Sequence, residues 1–299
     1  MAQFYFVTPN SFLTLPPVKQ IYQQFKSQFE IRVLQSKILD YEDFFEEVLS
    51  YDKINTYQNY SAYHKQQSFE KFAKIIKFVS LFLKESLLEK RKDEKRIVYT
   101  CELFSLFVAL LFKNKTDVVI YHQFEVLGND LNKLDQLSYW YLKRNFKKLN
   151  AAIFPEENRA RYFFESLNQN FDNKVFILPN SNNNTVVLRK QLIAEKIIVT
   201  HIGSVGNNHH LDTYINSIEQ LQAENYEFRF IGRLSKDVRD TIQKHKLTNV
   251  KLIGQVQHFE LEKYYLETDI GVVLYKDTGL NYRYCAPNKL YEYWSMVYR

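Results

Sequence analysis

The chain has 299 residues, with 40 Lys and Arg against 34 Asp and Glu, a net charge of +6 and an apolar fraction of 45%. That length suits roughly two domains, and that apolar fraction supports hydrophobic cores and excludes a disordered chain. Two cysteines, Cys101 and Cys285, exclude a disulfide framework or a multi-cysteine zinc site. The longest apolar run, Leu103–Phe112, is about half of a membrane-spanning helix. The start, MAQFYFVTPN, lacks the basic region and long apolar run of a signal peptide. The expectation is a cytoplasmic globular protein.

In chain order, Phe4–Thr8 reads as a strand, Val18–Phe29 as a helix and Ile31–Leu34 as a second strand. Arg96–Thr100 is a strand, Leu103–Phe112 a buried helix, Val118–Tyr121 a strand and Leu131–Leu149 a long helix. Ala152–Phe154, Glu156–Leu167 and Val175–Leu178 follow as strand, helix and strand. Pro179–Thr185 is polar and aperiodic, which marks a linker, and places a domain boundary within 180–195. After it, Lys196–His201, Glu227–Ile231, Val250–Ile253 and Asp269–Tyr275 read as strands. Helices over Leu211–Ala223, Lys236–Lys246 and Phe259–Glu267 alternate with them, and Asn288 opens a last helix. Such alternation implies βαβ units and parallel sheets. Uninterrupted runs such as GVVLY suit strands covered on both faces. The reading is two tandem Rossmann-like, doubly wound α/β domains, 1–185 and 186–299, with a cleft between them. Ligands of such folds bind at the carboxyl ends of the strands.

Glycine placement directs attention to the second half. Gly128 is alone before residue 200, while Gly203, Gly206, Gly232, Gly254, Gly271 and Gly279 follow it. Gly203-Ser204-Val205-Gly206 lies between a strand and a helix, where free backbone N–H groups and a helix N-terminus favour a phosphate. Read alone, it is equally an ordinary strand–helix turn, and Gly232 and Gly254 can simply end strands. The loop is not GxGxxG, which disfavours a nicotinamide dinucleotide enzyme. Further on, Pro287 suits a first helical position. Lys289 and Glu292, three apart, share one helix face. A cation and a carboxylate there suit a diphosphate and a pair of sugar hydroxyls, although an isolated K-x-x-E is commonly a surface ion pair.

PNKLYEY, following VVLY, together with THIGSVG, FRFIG and NVKLIGQV, resembles the donor-binding domain of retaining glycosyltransferases of family 4. VVIYHQFE, IFPEENRARYF and ILPNS resemble the amino-terminal domain of that family. The resemblance implies the GT-B fold and transfer of a sugar, with retention, from a nucleotide-diphosphate donor to a glycan or lipid-linked acceptor. It implies that Glu292 bonds the donor ribose, that Asn288 and Lys289 lie beside the phosphates, and that Gly203 and Gly206 line the diphosphate loop. His122, with Glu125 as a weaker candidate, would face the transferred sugar and acceptor; a lone histidine is also commonly structural. The leaving phosphate would assist deprotonation of the acceptor, and neither a metal nor another cofactor is expected.

Three departures stand out. The family often shows two glutamates with seven residues between them; Glu292 matches the second, and Tyr284 occupies the first position. Contacts to the donor sugar would then come from elsewhere, such as backbone groups of 281–283. The phosphate loop of the family carries Arg and Lys where this chain has Asn207-Asn208-His209-His210, which leaves Arg233 or Arg283 to replace them. The family also continues past the glutamate helix, by about 50–80 residues on domain-size grounds, which implies an incomplete second domain. The resulting alternative is an impaired fragment or a partner subunit of a split glycosyltransferase.

Tyr139–Lys148 mixes aromatic and basic residues at helical spacing, and Phe69–Arg96 does so with a charged tail. Such helices suit peripheral contact with the inner face of an anionic membrane, or core packing with a solvated basic face. Nucleic-acid binding lacks both a large excess charge and a recognition motif.

Overall fold

The computed structural model describes residues 2–8, 16–37, 54–58, 75–76, 78–84, 95–128, 131–170, 174–180, 196–206, 209–256 and 260–295. The chain divides into two compact units, Met1–Leu178 and Pro179–Arg299.

Among its described residues the first unit has seven strands: β1 (Gln3–Val7), β2 (Glu30–Lys37), β3 (Ile54–Gln58), β4 (Arg96–Thr100), β5 (Val118–His122), β6 (Ala151–Phe154) and β7 (Val175–Ile177). Their order is β3-β2-β1-β4-β5-β6-β7, with every pairing parallel. The winding reverses between β1 and β4, as in other doubly wound sheets. Phe4 and Phe6 of β1 pack on one side with Val18, Ile21 and Tyr22 of α1 (Pro16–Phe25). Tyr5 and Val7 pack on the other side with α2 (Leu103–Leu111) and its neighbours. Burial on both faces explains why QFYFV is apolar without alternation.

Helix starts follow from side-chain caps. Glu102 and Ser105 form a capping box at α2. Asn132 Oδ1 accepts the amides of Leu134 and Asp135 at 3.0 Å, which opens α3 (Lys133–Asn145) two residues after the expected start. A 3-10 turn over Phe146–Lys148 closes it. Glu156 caps α4 (Glu157–Ser166) in the same manner. At the amino ends of the strands, Arg96 and Asp117 form a two-pronged ion pair, Nη2–Oδ2 2.6 Å and Nε–Oδ1 3.2 Å. The guanidinium also lies 5.5 Å from the Tyr5 ring. INTYQ carries neither an apolar run nor strict alternation, so the sequence does not mark β3.

Among its described residues the second unit has four parallel strands, β8 (Ile197–Ile202), β9 (Tyr226–Ile231), β10 (Val250–Gly254) and β11 (Ile270–Gly271), in the order β10-β9-β8-β11. On one face α5 (Leu211–Gln220) and α6 (Lys236–Lys244) bury Ile215, Ile218, Val238 and Ile242 against Val199, Phe228 and Phe230. On the other, α7 (Leu261–Glu267) and α9 (Asn288–Ser295) bury Tyr265 and Tyr293 against Ile202 and Ile231. A single turn, α8 (Leu280–Arg283), precedes α9. The expected strand Asp269–Tyr275 is corrected: only Ile270 and Gly271 pair in the sheet. Ile270 and Val273 are exposed, because among the described residues β11 pairs with β8 alone. Most of the linker, 181–195, lies outside the described residues, as does most of Phe69–Arg96.

Candidate functional site

In the second unit the winding reverses between β8 and β11, so the carboxyl ends of these strands are where a ligand of this fold belongs. The loops there are set by glycine backbone. Gly203 (φ 135°) sends its N–H to the Ile231 carbonyl at 2.8 Å. Gly232 (φ 131°) sends its own to Gly254 at 2.7 Å. A Cβ on Gly232 would stand 2.3 Å from the Gly203 carbonyl oxygen, so no side chain fits. These glycines end neighbouring strands in step, as the simpler reading of Gly232 and Gly254 expected. Gly206 has open space around it, and its amide meets His209 Nδ1 at 3.2 Å. Both loop glycines expected beside a diphosphate thus have their N–H groups bonded within the protein.

Helix α9 brings Asn288, Lys289 and Glu292 to the same end. Tyr293 explains its seating: a Cβ on Gly271 would lie 2.6 Å from the Tyr293 ring. The ring therefore crosses β11 at a glycine, and its hydroxyl reaches the Thr200 carbonyl at 2.7 Å. Glu292 beside it is buried, at 6% exposure. Lys289 Nζ lies 2.7 Å from Glu292 Oε2, and the Tyr265 hydroxyl donates to the same oxygen. Burial, then the neighbouring carboxylate, pushes the Tyr265 hydroxyl well above the usual phenol range, so it stays a donor. The sequence spacing placed Lys289 and Glu292 on one face, and the structure brings them into contact. It did not signal Tyr265, on another helix.

His201, at the end of β8, is a second residue whose role was not read from the loop motif. Its Nδ1 faces the Val272 carbonyl at 3.1 Å. A carbonyl only accepts, so Nδ1 carries the hydrogen and Nε2 is a bare acceptor. That buried Nε2 has no hydrogen-bond partner. Burial foremost, with smaller contributions from His209 and Lys289, lowers its pKa to about 4, against the Val272 and Ser204 carbonyls. The ring is therefore neutral near pH 7. The His209 ring lies 5.9 Å away and is also lowered, chiefly by burial. Of the two arginines expected to replace the loop cations, Arg283 is paired with Asp277 at 3.0 Å. Arg233 is exposed and makes no side-chain hydrogen bond or ion pair with the described residues. Tyr284 is partly buried. Beside the loop, a recess of about 300 Å³ is lined by Gly206, His209, Asp212, Asp237, Thr241 and Lys276.

In the first unit His122 ends β5 and is fully buried, at 0% exposure, rather than open to solvent. Nδ1 is hydrogen-bonded to the Tyr99 hydroxyl, Nε2 has no partner, and the Phe124 ring covers it at 4.3 Å. Burial lowers its pKa to about 3. With Tyr99 donating, Nε2 bears the hydrogen, and His122 is a neutral donor. Glu125 is exposed and lines a cavity of about 420 Å³ together with Glu102, Asp135, Tyr121 and Phe104. Burial raises the Asp135 pKa. Glu102 accepts from Thr8 at 2.7 Å, across the winding reversal between β1 and β4. Among the described residues no group of three or more His, Cys, Asp or Glu could hold a metal ion.

No family model and no curated protein matches the sequence. Solved structures match in fold. HepE of Anabaena in complex with UDP and glucose superposes with a TM-score of 0.63 at 10% identity, over 91% of this chain and 73% of that one. The lipopolysaccharide outer core galactosyltransferase WaaB, without ligand, gives 0.58 at 11% identity, over 89% and 72%. A mutant of S. aureus TarM in complex with Fondaparinux, alpha-GlcNAc-glycerol and UDP gives 0.55 at 12% identity, over 91% and 80%. The chain thus has the GT-B fold of two Rossmann-like α/β units.

Proposed function

We propose that the chain is a glycosyltransferase that moves a hexosyl-type sugar, with retention, from a nucleotide-diphosphate donor to a glycan or lipid-linked acceptor, as in surface polysaccharide synthesis. The second unit is the donor side and the first the acceptor side. The observation that carries this reading is Glu292: a buried carboxylate at the ligand end of the sheet, held by Lys289 and Tyr265. A carboxylate so fixed accepts from a vicinal pair of hydroxyls, such as a ribose. The UDP bound to HepE and to TarM, which share the fold, supports it.

In this reading Lys289, Arg233 and the amino end of α9 at Asn288 meet the charge that develops on the leaving diphosphate, with no metal ion. Gly203 and Gly206 keep the adjoining loop thin, and Arg283 stays with Asp277. His122, neutral behind Tyr99 and Phe124, shapes the acceptor-side end of β5 and exchanges no proton. The sugar leaves and is captured on one face, and the departing phosphate takes the acceptor's proton.

Thermal unfolding of the 299-residue chain with UDP, GDP or ADP tests the donor site. Ligand at about 100 times Kd adds about 2.7 kcal/mol to the folded state. One nucleotide is expected to raise Tm, and Glu292→Ala to abolish the rise. A Tm unmoved by all three overturns the reading. A second reading, an impaired fragment or a partner subunit of a split glycosyltransferase, is favoured by the internal bonds of the Gly203 and Gly206 amides, which turn both N–H groups away from a diphosphate. Nucleotide binding without turnover of any nucleotide sugar would establish it.

A further inference from the structure

Helix α3 and its closing turn separate sharply into two faces. Ser138, Leu142 and Phe146 are buried, and the Tyr139 hydroxyl donates to the Ser166 carbonyl at 2.6 Å. That face anchors the helix in the first unit's core. At about 100° per residue, Lys133, Gln136, Leu137, Trp140, Lys143 and Arg144 fall within about 60° either side of Trp140. All six are exposed. Lys147 and Lys148 of the turn extend the stripe and are exposed as well. The one acidic residue of the helix, Asp135, points about 140° away and lines the 420 Å³ cavity.

The stripe therefore carries five cations, Lys133, Lys143, Arg144, Lys147 and Lys148, and no carboxylate. At its centre stand two large apolar side chains, Leu137 at 50% exposure and Trp140 at 49%. A merely solvated basic face accounts for the lysines but not for a leucine and a tryptophan among them. The Arg144 guanidinium lies 3.8 Å from the Trp140 ring centroid, so the indole is held with cationic charge against it. Tryptophan flanked by cations suits the headgroup level of a bilayer, where the ring is half immersed and the charges meet anionic phosphates. No helix among the described residues is long and apolar enough to cross a membrane, so this face would lie on the surface.

We propose that this face of α3, from Lys133 to Lys148, seats the first unit on an anionic lipid surface. The stripe reads lipid by charge density and apolar depth together. It stands on the helix alone and not on the nucleotide reading, so the absence of nucleotide binding leaves it untouched.

The test is co-sedimentation of the full chain with vesicles of phosphatidylcholine alone, or with about one third phosphatidylglycerol. Binding is expected to the mixed vesicles, weakening as salt rises, and not to phosphatidylcholine alone. Each basic residue near such a surface strengthens partitioning about fivefold. The double variant Lys143→Glu, Arg144→Glu is thus expected to weaken it at least about 25-fold, and Trp140→Ala about tenfold. All three positions are exposed, so an unchanged Tm shows that the variants are folded. Failure of the wild type to pellet with the mixed vesicles overturns the proposal, as does binding unchanged in both variants. Equal binding to phosphatidylcholine alone also overturns it. So does duplex DNA bound as tightly as vesicles with Trp140→Ala affecting neither, which would make the face a nucleic-acid surface.

Discussion

Each unit holds a carboxylate–cation pair at an end of its sheet, Arg96–Asp117 in the first and Lys289–Glu292 in the second, and the two sit at opposite ends. In the first unit Arg96 and Asp117 meet at the amino ends of β4 and β5, with both side chains almost sealed. Asp117 Oδ2 also accepts the Asn114 amide at 2.8 Å. In the second unit Lys289 and Glu292 meet at the carboxyl ends of β8 and β11, and Lys289 remains 24% exposed. Beside them His201 keeps a bare buried nitrogen. The chemistry of the pairs is similar and their positions are not. A pair at the amino end, closed on itself, staples the fold. A pair at the carboxyl end, with an accessible cation and an unsatisfied neighbour, is the one the proposed function assigns to binding.

The largest expected effect tests the staple. Asp117→Ala leaves Arg96 buried without its partner, which costs about 3–5 kcal/mol. Urea unfolding should show that loss, while nucleotide affinity measured by calorimetry on the folded variant stays at the wild-type value. An affinity loss would erase the distinction between the pairs. Next, Gly232→Ala forces a Cβ against the Gly203 carbonyl at positive φ, and about 3 kcal/mol of stability should go with it.

Glu292→Gln keeps the shape and removes the charge. Losing a charge-assisted hydrogen bond corresponds to about 1.5–3 kcal/mol, or roughly 10- to 150-fold in Kd for the nucleotide. If calorimetry shows wild-type affinity, Glu292 belongs with Asp117 as a staple.

The histidines give both units one pH response. An unfolded histidine titrates near 6.5, while His122 is lowered to about 3 and His201 to about 4. Between those values the unfolded chain binds a proton that the folded one refuses. Stability is therefore full above about pH 6.5. It falls on acidification toward pH 4 by about 1.4 kcal/mol per pH unit for each histidine. Urea titrations at pH 7, 6 and 5 should show the slope, and His122→Gln and His201→Gln should each remove its own part. The smallest effect is Gly206→Ala, with open space around it. It should move Tm by less than about 0.5 kcal/mol equivalent, in contrast to Gly232→Ala one loop away.

Much of this architecture was legible along the chain because it depends on near neighbours. Strands β1, β4 and β8 are apolar runs bounded by polar residues. Helices α2, α3 and α4 begin where Glu102, Asn132 and Glu156 cap them. Edges are not legible along the chain: INTYQ does not mark β3, and Asp269–Tyr275 overstates β11, because an edge is set by pairing with distant segments. At the site, Lys289 and Glu292 were legible because three residues make nearly one helical turn. Tyr265 was not, since it reaches Glu292 from a separate helix, and neither was the bond from His201 to the Val272 carbonyl.

The sequence by itself determined the alternation of elements, the glycine-bounded loops and the K-x-x-E face, because these follow from propensity and spacing within a few residues. Only the tertiary structure decided that Glu292 is buried, that His122 is sealed behind Tyr99 and Phe124, and that Trp140 faces outward among cations. Burial and exposure are sums over residues far apart in the chain, and local spacing carries no record of them.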